Sequence, residues 1–322
     1  MPFPRTAPSV PRMSTIHPPD RPLLGILLML GFCAVAPLAD AVAKILGETV
    51  PLMMAVFARF AVQALLLVPL VVATGRVWRL RGRILRLVVL RTALHIAGIT
   101  LMFSALKYLP LADAIAIAFV MPFVLLLLGH TILGEEVGPR RLIACIVGFL
   151  GTLLVIQPSF AEVGWPALLP VGVAVVFAAF ILVTRLVARE TDPIGLQAVS
   201  GVMASAVLLP VLLILGDSGP EAMRLMMPDG RDWALLIGVG ILGTLGHLLM
   251  TWSLRFAPAS TLAPMQYLEI PFATLIGWLI WRDLPDGMAA IGIAITVASG
   301  LYIVMRERNL SRAAARLAQS QP

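Results

Sequence analysis

The chain has 322 residues, 60% of them hydrophobic and only 13% charged, with a formal net charge of +7. Charged residues alone make up about a quarter of a soluble globular protein, so that class is excluded. The apolar residues fall in runs of about 20, the length at which a helix crosses ~30 Å of hydrocarbon, and not in the alternating ~10-residue segments of a β-barrel.

The predicted fold is an all-α polytopic membrane protein. Residues 1–21 carry six prolines and three arginines and read as a disordered cytoplasmic leader, with Met13 as an alternative start. Spans are expected at 23–46, 50–73, 87–106, 110–133, 142–157, 165–187, 194–215, 233–254, 258–281 and 287–305, followed by a cytoplasmic tail, 306–322. Arg21, the first apolar run and Ala41-Val42-Ala43 resemble a cleaved secretory signal. The run is long for a signal core, however, and its repeat partner at 165–187 is internal, which favours a retained span. Cys33 and Cys145 both lie in apolar runs, so no disulfide is expected.

The chain writes one unit twice. Sliding it by 148 residues lays Leu94, Gly98, Met102, Leu106 and Pro110 on Leu242, Gly246, Met250, Leu254 and Pro258. Lys107-Tyr108 meets Arg255-Phe256, and Gly129 with Glu135 meets Gly277 with Asp283. Such self-similarity defines a first repeat over 22–157 and a second over 163–305. Five spans per copy is odd, so the second copy enters the membrane from the opposite side: ten transmembrane helices as two inverted five-helix repeats. With the N-terminus in the cytoplasm, 17 Lys and Arg residues fall inside, including Arg76, Arg79, Arg81, Arg83 and Arg86, against Lys107, Arg224, Arg231 and Arg282 outside. That bias explains the basic charge without a nucleic-acid partner.

Ionisable groups inside the hydrocarbon cost at least ~2.5 kcal/mol each and so mark partners or a wet cavity. Glu269 lies near the midplane of the ninth span, with Gln266 one turn earlier on the same face and Pro264 and Pro271 on either side. It fits a substrate-amine or proton site, or a buried structural acid. Arg59 stands in the second span with Gln63 one turn on and Asp40 at similar depth on the first. Either Asp40 pairs with Arg59, or Lys44 takes Asp40 and leaves Arg59 for an anionic group such as a substrate carboxylate. Arg91 reads as an anchor reaching the headgroups, and Asp113 as an acid in the first turn of span four. His95 and His247 read as core histidines or titratable groups. Four histidines without paired spacing give no metal site.

Trp78, Trp165, Trp233, Trp278 and Trp281 fall at span ends, as interfacial indoles do, whereas Trp252 and Tyr267 lie deeper and are candidates for stacking on a substrate. Ala144, Gly148 and Thr152, and Gly292, Thr296 and Gly300, make smooth stripes on spans five and ten, suited to internal packing or to a homodimer.

Ala112–Glu135, with Pro122, Gly129 and Gly134-Glu135, and Ala259–Asp283, with Glu269, Gly277 and Asp283, resemble the fourth helix of an EamA repeat; Arg59-Phe60 resembles its second. The resemblance covers residues 23–305. It implies a drug/metabolite transporter of the bacterial inner membrane, with helices one to four and six to nine around a central cavity and helices five and ten apart from it. Glu269-Ile270-Pro271 interrupts the Glu-Pro pair of many such exporters, and Asp283 replaces their closing glutamate.

The expectation is a secondary transporter, an exporter of a small polar or amphipathic metabolite such as an amino acid or amine, with protons as coupling ion through Glu269. The candidate site is Glu269, Arg59, Gln266, Tyr267, Trp252, Gln63, His247 and Asp40, with no catalytic residue, metal or cofactor. Uptake of a nucleoside-like or cofactor-like metabolite is the alternative. An integral-membrane enzyme finds little support, because no clustered metal motif or nucleophile constellation is present.

Overall fold

The computed structural model describes residues 22–121, 123–124, 127–128, 131, 139–188, 190–216, 219–257, 262, 265–299, 301–302 and 305. The leader and tail lie outside the described residues, as do Pro122, Gly129, Gly134, Glu135, Pro258, Pro264 and Gly300 of the motifs above.

Ten helices follow one another, with no strand among the described residues: α1 (Pro22–Leu46), α2 (Leu52–Ala73), α3 (Gly82–Leu106), α4 (Leu111–Ala118), α5 (Pro139–Val163), α6 (Leu169–Ala188), α7 (Pro193–Leu215), α8 (Gly230–Phe256), α9 (Glu269–Trp281) and α10 (Gly287–Ser299). Among them, α1, α2, α3, α7 and α8, the stretch Ile146–Val163 of α5, and α6 with its leading turn are long and apolar enough to cross a membrane. The chain is a polytopic membrane protein. In hydrocarbon no water serves exposed backbone, so apolar segments close their own hydrogen bonds as helices. Where the chain leaves the membrane, side chains finish the job: Asp192 accepts from Gly195 N at the start of α7, and Asp229 from Asp232 N at the start of α8.

Two boundaries differ from the sequence reading. The helix α3 starts at Gly82 and not 87, and α5 runs on past Pro158 to Val163. An apolar run stops where hydrocarbon stops, but a helix need not: Arg83 and Arg86 are exposed in the first turns of α3.

Pairings between helices come in repeat-related couples. The most extensive is α1 with α8, and its counterpart is α3 with α6; α1 with α9 answers α4 with α6, and α2 with α8 answers α3 with α7. The pairs α2–α7 and α4–α9 join a helix to its own counterpart, and so does α5–α10. There Thr296 Oγ1 donates to Gly148 O at 3.4 Å, and a Cβ on Gly151 would lie 2.8 Å from Gly292 O. Small residues permit that approach. Gly148 and Gly151 of α5 thus face Gly292 and Thr296 of α10 within one chain. The opposite side of α5 shows Ile143, Ile146, Val147 and Leu150 exposed.

Helices α4 and α9 are both interrupted, and at the same place. After α4 the chain makes a turn at Phe119–Val120, and before α9 a turn at Tyr267–Leu268, 148 residues on. Pro122 and Pro271 have no amide hydrogen for the carbonyls of Ala118 and Tyr267. Tyr267 O accepts from Ile270 N at 3.3 Å in its place. The Phe119 and Tyr267 rings meet with centroids 5.2 Å apart, so the two breaks touch.

Candidate functional site

Between the halves lies a cavity of about 100 Å³. Helices α1, α2, α3, α4, α6, α8 and the start of α9 wall it, and α5, α7 and α10 do not. Most of the wall is apolar and rich in rings and thioethers: Phe32, Phe103, Phe119, Phe177, Met102 and Met250. Among the described residues its polar groups are five, Asp40, Arg59, His247, Gln266 and Glu269.

Arg59 is the most constrained of them. It is 2% exposed, and no carboxylate stands within 4 Å of its guanidinium among the described residues. Nη1 donates to Gln63 Oε1 at 2.9 Å, while Nη2 is buried without any hydrogen-bond partner. The guanidinium lies flat on α8, where Gly243 makes room: a Cβ at that position would overlap Nε and Cζ of Arg59. A buried cation with an unused donor in a cavity wall has the chemistry to hold an anion.

Gln63, expected in the site, stands behind it. Its amide nitrogen donates to Gln197 O at 2.7 Å and Gln197 Oε1 at 3.2 Å; Gln197 in turn donates to His247 O at 3.2 Å and Thr251 Oγ1 at 3.1 Å. This amide chain ties α2 to α7 and α8 and fixes the arginine. Gln63→Leu is expected to orphan Arg59 Nη1 and the Gln197 side chain, at a cost of about 1–3 kcal/mol for each unsatisfied group. Chemical or thermal unfolding in detergent measures it.

Glu269 is half-buried and opens α9, in the first turn, where the helix field favours an acid. Gln266 is 5% exposed and precedes the turn. Asp40 faces the cavity on α1. Lys44 does not take it: the ammonium donates to Leu109 O and lies 5.4 Å from the Trp281 ring centroid. Nor do Asp40 and Arg59 come within 4 Å as an ion pair. Tyr267 packs on Phe119, which lines the cavity, and so supports the wall from behind. Trp252 sits elsewhere, among Leu67, Val71, Ile194, Ala198 and Leu248. Depth was matched but azimuth was not: Trp252 is about 200° around α8 from Met250.

Below the cavity two groups depart from the sequence reading. Arg91 does not reach the headgroups. It is 0% exposed, with Nε on Thr184 Oγ1 and Nη1 on Ser200 Oγ, both at 2.9 Å, and its Cζ 4.6 Å from the Phe180 centroid. His95 and His247 are not separate core residues, since their Nε2 atoms lie 3.1 Å apart. The signal was present in the spacing. They are 152 residues apart, the repeat interval plus one helical turn.

At one end of the bundle Thr49 Oγ1 bonds Asp232 Oδ1 at 2.8 Å and Ser159 Oγ bonds Asp113 Oδ2 at 3.1 Å; at the other, Arg76 and Asp192 form an ion pair at 2.8 Å. The described residues contain no group of three or more potential metal ligands.

A charged cavity enclosed by repeat-related helices in a polytopic membrane chain has the build of a solute carrier. Residues 23–157 and 164–305 each match the EamA-like transporter family, and the chain belongs to that family. It is 27% identical to the riboflavin transporter of Brucella anthropi, over 82% of this chain and 92% of that one. It is 28% identical to the pseudopaline exporter CntI of Pseudomonas aeruginosa, over 89% and 96% of the two chains. It is 24% identical to the S-adenosylmethionine uptake transporter of Rickettsia prowazekii, over 89% and 94%. A crystal structure of a protein 20% identical in sequence superposes with a TM-score of 0.65, covering 90% of this chain and 99% of that one, and shares the fold.

Proposed function

We propose that this chain is a secondary transporter that moves a small amphipathic metabolite bearing an anionic group across the bacterial inner membrane by alternating access, with both termini in the cytoplasm. The observation that carries the reading is Arg59, buried in the cavity wall with Nη2 unpartnered and no carboxylate within 4 Å among the described residues. The substrate's anion would complete that guanidinium. The Phe and Met wall suits an apolar or aromatic body, and Asp40 and Glu269 suit an amine at its other end. An amino acid or related zwitterion carries all three features.

A nucleoside-like or cofactor-like substrate is the second reading. It is favoured by the ring-lined wall and by the riboflavin and S-adenosylmethionine transporters among the relatives. The repeat-coupled helix pairings and the touching breaks in α4 and α9 support two inverted halves rocking about this site.

Counterflow in proteoliposomes tests the proposal, with labelled aromatic amino acids, riboflavin and S-adenosylmethionine each loaded on one side. The expected result is transient accumulation of at least one of them, abolished in Arg59→Gln. Counterflow that persists in that variant would remove the anion seat, and its absence for every compound would remove these cargo classes.

A further inference from the structure

The histidine pair stands at the floor of the cavity, with His247 in its wall and His95 behind it. His95 is 0% and His247 6% exposed, with ring centroids 4.2 Å apart. Only one proton fits between two Nε2 atoms 3.1 Å apart, so one ring donates and the other accepts. Both Nδ1 atoms are buried without a partner. One of them carries a hydrogen and the other is a bare lone pair, that of the ring whose Nε2 donates. That lone pair is a vacant proton acceptor in the membrane interior.

The surroundings set the condition for filling it. From α2 and α6, Phe60 and Phe180 close on His95 at 4.9 and 4.8 Å; from α1, Phe32 stands 6.3 Å from His247. The charged groups are Arg59 on α2, Arg91 on α3, and the cavity carboxyls Asp40 on α1 and Glu269 on α9; α7 contributes the neutral Gln197 amide to the His247 carbonyl. Neither Arg59 nor Arg91 has a carboxylate within 4 Å among the described residues, so an added proton would make a third cation buried beside them. An anion seated on Arg59 cancels one of them.

We infer that the His95–His247 pair is a proton-binding site whose occupancy is linked to that of the anion seat on Arg59, so that one proton enters with each substrate anion. This rests on the anion reading of Arg59. The proton adds to the bare Nδ1, and the resulting imidazolium keeps its Nε2–H on the other ring. Negative and positive charge arrive together, and the occupied cavity carries no extra net charge. Since α3 and α8 are counterparts in the two repeats, the pair also spans the joint at which the halves would move. Proton and anion then travel in the same direction, and an inward proton gradient drives uptake. Linkage between sites commonly amounts to about 5- to 150-fold in affinity. For one linked proton, anion affinity rises as pH falls, by at most about tenfold per pH unit.

The test uses benzenesulfonate, an aryl anion that cannot itself be protonated, with purified protein in nanodiscs. Binding is followed in weak buffer with a pH-indicator dye, and by ¹⁵N NMR of histidine-labelled protein. The expected result is proton uptake on binding, up to one per anion, with a histidine Nδ1 resonance moving to the imidazolium position. His95→Gln and His247→Gln are expected to bind with no uptake and with affinity independent of pH. Wild-type binding without proton uptake between about pH 5 and 8 would overturn the linkage, and so would uptake that persists in the histidine variants. The wild-type spectrum decides the matter even if a variant does not fold. No binding, or equal binding by Arg59→Gln, would instead sink the anion seat, and the linkage with it.

Discussion

Arg59→Gln is expected to lower transport at limiting substrate by about 30-fold or more, while the protein stays as stable as its parent or becomes more so. The two halves of that result have one cause. A buried charge pair broken by removing one member loses about 2–5 kcal/mol of binding, and 1.4 kcal/mol is a factor of ten. In the empty protein, however, the guanidinium is itself the burden. It is desolvated, with one unpartnered nitrogen and no carboxylate within 4 Å among the described residues. Replacing such a charge with a neutral group of similar size is often neutral or stabilising. Glutamine keeps a donor for Gln63 and removes the charge. Initial rates in proteoliposomes and thermal unfolding in the same detergent check both halves. A structural arginine would behave in the opposite way, losing stability with transport.

Gly243→Ala should come close to the same loss of transport without replacing any charged residue. The added methyl would occupy the place of Arg59 Nε and Cζ, so the guanidinium must leave α8 and its bond to Gln63. Overpacking of this kind costs about 1–3 kcal/mol. The alanine is itself a better helix former than glycine, so α8 should persist. The expected signature is substrate affinity down by roughly tenfold or more with helicity unchanged, read by ligand-induced thermal shift and circular dichroism. Gly238→Ala, five residues nearer the start of α8 and open to added atoms, is the control that should leave affinity unaltered.

The repeat, the all-helical membrane class and the cavity-facing Arg59, Asp40, Gln266, Glu269 and His247 were legible because apolar length and a stray charge in lipid are local facts. Partner identity was not. Gln63 and Gln197 meet across 134 residues, and an amide alone in an apolar run gives no hint of where it points. Trp252 was misplaced because depth along a helix says nothing of the side it faces. Arg91 was misplaced because depth was counted from the first apolar residue, whereas α3 begins five residues earlier and carries the arginine into the packed interior. The break at Tyr267–Leu268 was half visible in Pro271; that Phe119 lies against it follows only from the way the halves pack.

Opposite threading of the two halves is the claim on which site, cavity and linkage all depend, and sided labelling of two loops tests it. Arg79 and Met227 occupy equivalent places, 148 residues apart, and both are exposed. Each is replaced by cysteine in a chain whose Cys33 and Cys145 have been changed to alanine, and intact cells are treated with a membrane-impermeant maleimide. Met227→Cys should react from outside, while Arg79→Cys should react only after the membrane is opened. Reaction of both positions from the same side would contradict the inverted repeat and dissolve the cavity between its halves.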